Sequence, residues 1–324
     1  MNGLAGPAGW RKLPLRLLVV ALATVFLIFL SWGMPWGEVG LALMTASPLW
    51  LGVAVVSNLM IYPPWTLQWQ LLASSTTRVP TRRMLGIVAI SSMGTAAMSS
   101  LVGAASAIVL LVGRGGMTTV SAASLIAMDQ ILVGLAKLTV LAVALQIAAV
   151  PEVASQGSLP LAVLTFGGLG ALYATAVLKP SLSFSEADSQ LRRWVAVNLD
   201  RISGSLEVMR RPGLALSTYA LAVLKRMTEI GAAFAITAAC GEPSIPLAFL
   251  VVAAVSITTA VPLVPGSLGV YSATVFMVYE FMGYPAHVAL AAGILQHLVE
   301  LVPAVAVGYL TIIVTRLSER PDEA

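Results

Sequence analysis

Three charged side chains stand in the middle of an otherwise apolar stretch. Lys225, Arg226 and Glu229 fall within the run 214–240, where nearly every other residue is apolar or small. A charge at the centre of a membrane helix costs about 2.5 to 3.5 kcal/mol on insertion scales, so such residues need partners or water. Lys225 and Glu229 are four apart and Arg226 and Glu229 three apart, so one helix face can hold an internal ion pair with a cation left over. Asp129 and Lys137, eight apart, share roughly one side of a second helix, with Gln130 next to Asp129. Gln296, His297 and Glu300 cluster on one turn of a third. Two kinds of chemistry fit these residues. Lining a cavity, the surplus cation attracts a phosphate while the carboxylates or His297 meet an amine or relay a proton. Facing neighbouring helices instead, they hold a bundle together through ion pairs and hydrogen bonds.

The elements that must position them are membrane helices. Of 324 residues, 58% are hydrophobic and 10% charged, and the mean hydropathy is +0.93, far from a soluble domain. The apolar runs approach the twenty or so residues that cross a bilayer as helix, rather than the alternating ten-residue strands of a barrel. The fold class is therefore all-α, a polytopic helical transmembrane protein. The formal charge of +4 does not imply nucleic acid, because the basic residues flank apolar runs, which is an orientation signal. Cys240 is the single cysteine, which excludes an internal disulfide and a cysteine metal cluster. Neither His287 nor His297 has a carboxylate at ligand spacing, so no metal is expected. P-loop, G-x-G-x-x-G, H-E-x-x-H and G-x-S-x-G patterns are missing. The expectation is no cofactor and no enzyme.

Apolar runs cover about 16–33, 47–72, 84–112, 118–150, 158–179, 214–240, 244–283 and 286–315. The first, Leu17 to Leu30, has no convincing cleavage site and ends in S-W-G-M-P-W-G, so it reads as a retained span. Basic clusters at Arg11/Lys12/Arg16, Arg78/Arg82/Arg83, Arg114, Lys179 to Arg211 and Arg316/Arg320 all fit the cytoplasmic side, with both termini cytoplasmic in a cell membrane. The run 84–112 must then leave and return on one side. A full hairpin needs about forty residues, so a span plus a short re-entrant piece fits better, broken within Ser99 to Ser106. The same counting applies to 244–283, whose breakers are Pro262, Pro265, Gly266 and Gly269. Freed backbone groups are tolerable at that depth only beside protein or a watery cavity. A proline-kinked ordinary span is the alternative. About seven or eight spans with two broken helices result.

From Ser185 to Arg211 a capping-box start, S-E-A-D, precedes Leu191, Trp194, Val195, Leu199, Ile202 and Leu206 at near-helical spacing, interleaved with arginines. This reads as a cytoplasmic amphipathic helix on anionic lipid headgroups, or one that docks a protein.

Sliding the chain by 166 positions pairs Gly103 with Gly269, Ser106 with Ser272 and Gln130 with Gln296. Approximate repeats at 84–150 and 244–315 result, and opposed entry sides make them inverted. In transporters that arrangement places a substrate site near the midplane.

The stretch V-P-L-V-P-G-S-L-G-V-Y-S-A, then F-M-G-Y-P-A-H-V-A-L-A-A-G-I-L-Q-H-L-V-E-L-V-P, resembles the signature of the lysylphosphatidylglycerol synthase transmembrane-region family of flippase-like membrane proteins. L-Q-W-Q-L-L, S-S-L-V-G-A-A-S-A and G-G-M-T-T-V-S-A-A-S-L-I-A-M-D-Q-I-L-V-G-L extend the likeness over most of the chain. Where the family pattern has Gly, Arg and Glu, this chain has Ser267, Tyr271 and Ser272. Asp129-Gln130 sits where an acid followed by arginine is common. The resemblance implies a lipid flippase moving a phospho- or glycolipid between leaflets. In the two-part synthases aminoacyl transfer belongs to a separate soluble domain, and nothing follows the last span here, so an enzyme is not expected. The rival is a non-transporting membrane scaffold or regulator of an envelope-biosynthesis enzyme.

Overall fold

Helix satisfies its own backbone hydrogen bonds, and all regular structure among the described residues is helical, as the composition requires. The structure, a computed structural model, describes residues 35–148, 163, 167–168, 211–259 and 269–318. The first apolar run, Pro262, Pro265 and Gly266, and the amphipathic stretch 185–211 up to its last residue lie outside them.

Helix α1 (Trp36–Thr45) follows Pro35, and α2 (Pro48–Leu59) carries proline in its first turn, where a missing N–H costs nothing. The rod Pro48–Ala73 is bent 79° from α1. Its second part is α3 (Tyr62–Ala73), again opened by prolines. Next come α4 (Thr81–Ala97), α5 (Ser100–Gly113) and α6 (Thr119–Ile147). The second half holds α7 (Pro212–Cys240), α8 (Ile245–Thr258), α9 (Val270–Phe281) and α10 (Ala286–Ser318). Ser99, Thr118 and Ser244 start α5, α6 and α8 by accepting hydrogen bonds from Val102, Ser121 and Leu247 N–H at 3.3, 3.2 and 3.3 Å.

Thr119–Ile147 and Ala286–Arg316 are long and apolar enough to cross a membrane, and the bent pair makes a third candidate. Helix α7 matches α6 at 29 residues, but its centre holds Lys225, Arg226 and Glu229. Helices α5 and α8 have 14 residues each, roughly 21 Å at 1.5 Å per residue, short of the roughly 30 Å hydrocarbon core.

The run 84–112 breaks at Met98 and Ser99, and α5 folds back against α4. Gly103 and Ser106, placed at the break by sequence, instead lie inside α5 and make this contact. A Cβ on Gly103 would sit 1.8 Å from Thr95 Oγ1 and 2.9 Å from the Ser91 carbonyl oxygen, so only glycine permits the approach. In the second half α8 packs on α9. Gly269 precedes α9 with φ of 83°, a left-handed conformation that favours glycine.

The two halves exchange partners. Helix α4 packs on α5 and on α10, while α8 packs on α9 and on α6. Each short-helix pair thus leans on the other half's long helix. Two apolar cores follow, one centred on Trp69, Met84, Leu125 and Leu132, the other on Ile236, Leu247, Val275 and Tyr279.

Pro303 lies inside α10 and cannot donate to the carbonyl of Val299 one turn back. Asn58 on α2 supplies the missing donor, its side-chain amide reaching Val299 O at 2.9 Å. A freed carbonyl in an apolar bundle is thereby satisfied, and α2 is tied to α10.

Candidate functional site

The charges predicted from sequence all come from α6, α7 and α10, and four of the six pair off. Lys225 Nζ lies 3.1 Å from Asp129 Oδ1, both side chains 2% exposed. The Lys225 ammonium also sits 5.1 Å from the centre of the Trp65 ring on α3, a cation–π contact. Arg226 Nη1 meets Glu229 Oε2 at 2.5 Å along α7. Sequence spacing also allowed a Lys225–Glu229 pair. The structure instead gives Lys225 a partner on another helix and leaves Glu229 to Arg226, because Lys225 points into the α3–α6 side of the bundle. Lys225 and Asp129 are closed off from solvent, so they join helices and do not line an open site.

Lys137 and Glu300 remain. Among the described residues neither has an opposite charge within ion-pair distance. Lys137 Nζ makes one long hydrogen bond, 3.4 Å, to the carbonyl of Ser256 on α8. It is a wall residue of a cavity of about 510 Å³ between α6 and α8, otherwise lined by groups such as Ile131, Leu138, Leu141 and Ile257. Gln130 lies on the same helix stripe as the lining residues Gly134 and Lys137, at spacings of four and seven, and is exposed.

Glu300 marks a second accessible place. Gln296 and Ala304, one turn either side on the same face of α10, are 5% and 7% exposed, yet Glu300 itself is exposed. Its side chain is therefore left uncovered between packed neighbours on that face. Its electrostatic neighbours are Glu229, Arg226 and Lys137, so it lies within electrostatic reach of the lysine that lines the apolar cavity. Tyr271 on α9 completes the wall, with its hydroxyl in hydrogen-bonding reach of Gln296 and Glu300. Its ring stacks on His297, centres 5.1 Å apart at 24°. Ser272, beside it, donates to Gly293 O at 3.2 Å and pins α9 to α10.

The arrangement offers an apolar trough with one cation in its wall, within electrostatic reach of the Glu300 carboxylate and of Arg226, whose Nε is buried without a partner among the described residues. The surplus cation expected on α7 is not there; of these three cations, Lys137 on α6 is the one without an ion pair among the described residues. Sequence reasoning passed over α3. On it Trp65 faces Lys225, and the Gln68 amide, the Thr66 hydroxyl and the indole N–H groups of Trp65 and Trp69 are buried without partners. The repeated Trp and Gln of W-T-L-Q-W-Q were the available signal, since buried polar atoms of this kind call for water or a ligand. His287 pairs with Glu38 at 3.1 Å and ties α1 to the start of α10.

The family model described as lysylphosphatidylglycerol synthase TM region matches residues 16–308, nearly the whole chain. No curated protein matches it.

Proposed function

Because the chain belongs to the lysylphosphatidylglycerol synthase transmembrane-region family, a family of membrane proteins, we propose that it moves an amphipathic phospho- or glycolipid between the leaflets of the cell membrane. The observation that carries this is the junction at Lys137. An apolar cavity of about 510 Å³ suits an acyl chain, and Glu300 and Arg226, polar groups within electrostatic reach of Lys137, with Tyr271 beside Glu300, suit a headgroup. Binding the two parts of one molecule in two adjoining environments is what crossing a bilayer demands.

The exchanged packing of α4 with α10 and α8 with α6 supports inverted repeats around a central site. In this reading the α4–α5 and α8–α9 pairs are re-entrant hairpins opening to opposite sides, with both termini cytoplasmic. The stretch 185–211 rests on anionic headgroups at the cytoplasmic face. No covalent step is assigned to the chain, and an ion gradient or lipid consumption on one side would supply the drive.

One observation favours a second reading. Two of the three possible ion pairs are already closed, as bundle-holding pairs are. A scaffold or regulator of an envelope-biosynthesis enzyme would need nothing more. Reconstitution into liposomes carrying a fluorescent phospholipid, with dithionite quenching, separates the two. Leaflet exchange above that of protein-free liposomes, lost in Lys137→Glu, fits transport. Background exchange from a folded protein fits the scaffold.

A further inference from the structure

We propose that the site takes a net-neutral lipid headgroup carrying one phosphate and one amine, the phosphate at Lys137 and the amine at Glu300. This rests on the transport reading only for its place in a cycle; the binding claim stands separately. Of the six charged side chains brought together, Lys225 is consumed by Asp129 at 3.1 Å and Arg226 by Glu229 at 2.5 Å. Lys137 and Glu300 are within electrostatic reach of each other, from α6 and α10, but make no ion-pair contact among the described residues. Each faces accessible space, Lys137 as a wall residue of the apolar cavity and Glu300 as an exposed group between buried neighbours.

Two opposite charges held apart in an apolar surrounding are costly unless something lies between them. A ligand with one anionic and one cationic group satisfies both and adds no net charge. A purely anionic headgroup leaves the Glu300 carboxylate facing a like charge, and a headgroup with surplus positive charge does the same at Lys137. The Tyr271 hydroxyl, in reach of Glu300, can share the amine, and the ring pair of Tyr271 and His297 gives it an aromatic wall. The acyl chain then leaves along Ile131, Leu138 and Ile257.

The test is lipid binding by native mass spectrometry of the purified full chain. Equimolar phosphoethanolamine, phosphoglycerol and cationic trimethylammonium diacyl lipids with matched chains serve as probes. Hydrogen bonds to charged groups are strong enough that the wild type should retain the phosphoethanolamine lipid about tenfold over either other. Glu300→Gln should bring the phosphoglycerol lipid level with it, and Lys137→Gln should favour the cationic lipid. Retention of all three within twofold by the wild type overturns the proposal, and so does a preference that Glu300→Gln leaves unchanged. The wild-type comparison decides even if a variant fails to fold. Selective binding without leaflet exchange in liposomes refutes transport while leaving this assignment intact. Exchange that is blind to headgroup refutes this assignment alone.

Discussion

Replacing Lys225 with methionine removes the ammonium that lies 3.1 Å from Asp129, with both side chains 2% exposed. At an effective dielectric of about 20 the attraction at that distance is roughly 5 kcal/mol, most of it offset by the desolvation of both groups. The net worth of the pair is therefore small, but its two halves are not separately dispensable. Lys225→Met leaves a buried carboxylate with no counter-charge, which costs about 3 to 5 kcal/mol. It also removes the cation from the Trp65 face, 5.1 Å away. Asp129→Leu strands the ammonium in the same way. The double variant Asp129→Leu/Lys225→Met removes both charges at once and should recover most of the loss, ending neutral or up to about 4 kcal/mol more stable than the wild type. Thermal unfolding in detergent, followed by size-exclusion chromatography, reads this as a fall of roughly 6 to 20 °C for each single variant and a return in the double. Because the pair is closed to solvent, the refolded double variant should also keep its lipid-binding preference. A Lys225→Met protein that melts like the wild type, or a double variant no better than the singles, would refute the pairing.

Further outcomes follow from single contacts. Asn58→Leu should cost about 1 to 3 kcal/mol because Val299 O loses its donor, and Pro303→Ala should erase most of that penalty by restoring the α10 hydrogen bond; a double-mutant cycle on melting measures the coupling. Gly103→Ala drives a methyl into Thr95 and the Ser91 carbonyl, and should destabilise by about 1 to 3 kcal/mol in the same assay. Glu38→Gln breaks a pair whose partners are 63% and 33% exposed, and should change stability by less than about 1 kcal/mol.

The fold was legible wherever it depended on local chemistry. The small residues of S-S-L-V-G-A-A-S and the length of 84–112 imply a break within Ser99 to Ser106 and a chain that turns back; the structure puts the break at the start of that stretch, where Ser99 caps α5. Gly269 reads in the sequence as a helix breaker, and its positive φ just before α9 is what the break there requires. The pairing of charges was not legible, since Lys225 and Asp129 are distant in sequence and helical periodicity ranks only neighbours on one helix. The same limit hid Asn58 as the partner of the carbonyl freed by Pro303. Helix α1 was missed because W-G-E-V-G, with two glycines and an acid, has the composition of a loop. It is held by packing along α10, where Glu38 also meets His287, and just after it Ser47 N–H reaches Ala239 O at 3.0 Å. The candidate residues were largely identified by the cost of charge in an apolar run. Their division into closed pairs and an open Lys137 and Glu300 required the packing.

A side chain added at Gly134 would point into the α6–α8 cavity, and a Cβ there meets nothing within 4 Å. In a background with Cys240→Ala, Gly134→Cys should fold and exchange fluorescent phospholipid between liposome leaflets. Modification of that cysteine with a bulky maleimide then fills the path assigned to the acyl chain. Exchange should fall at least tenfold relative to the unmodified Gly134→Cys protein, with no fall when the label is placed at Gly213, where a Cβ is likewise unobstructed. Undiminished exchange with Gly134→Cys fully labelled would contradict that path.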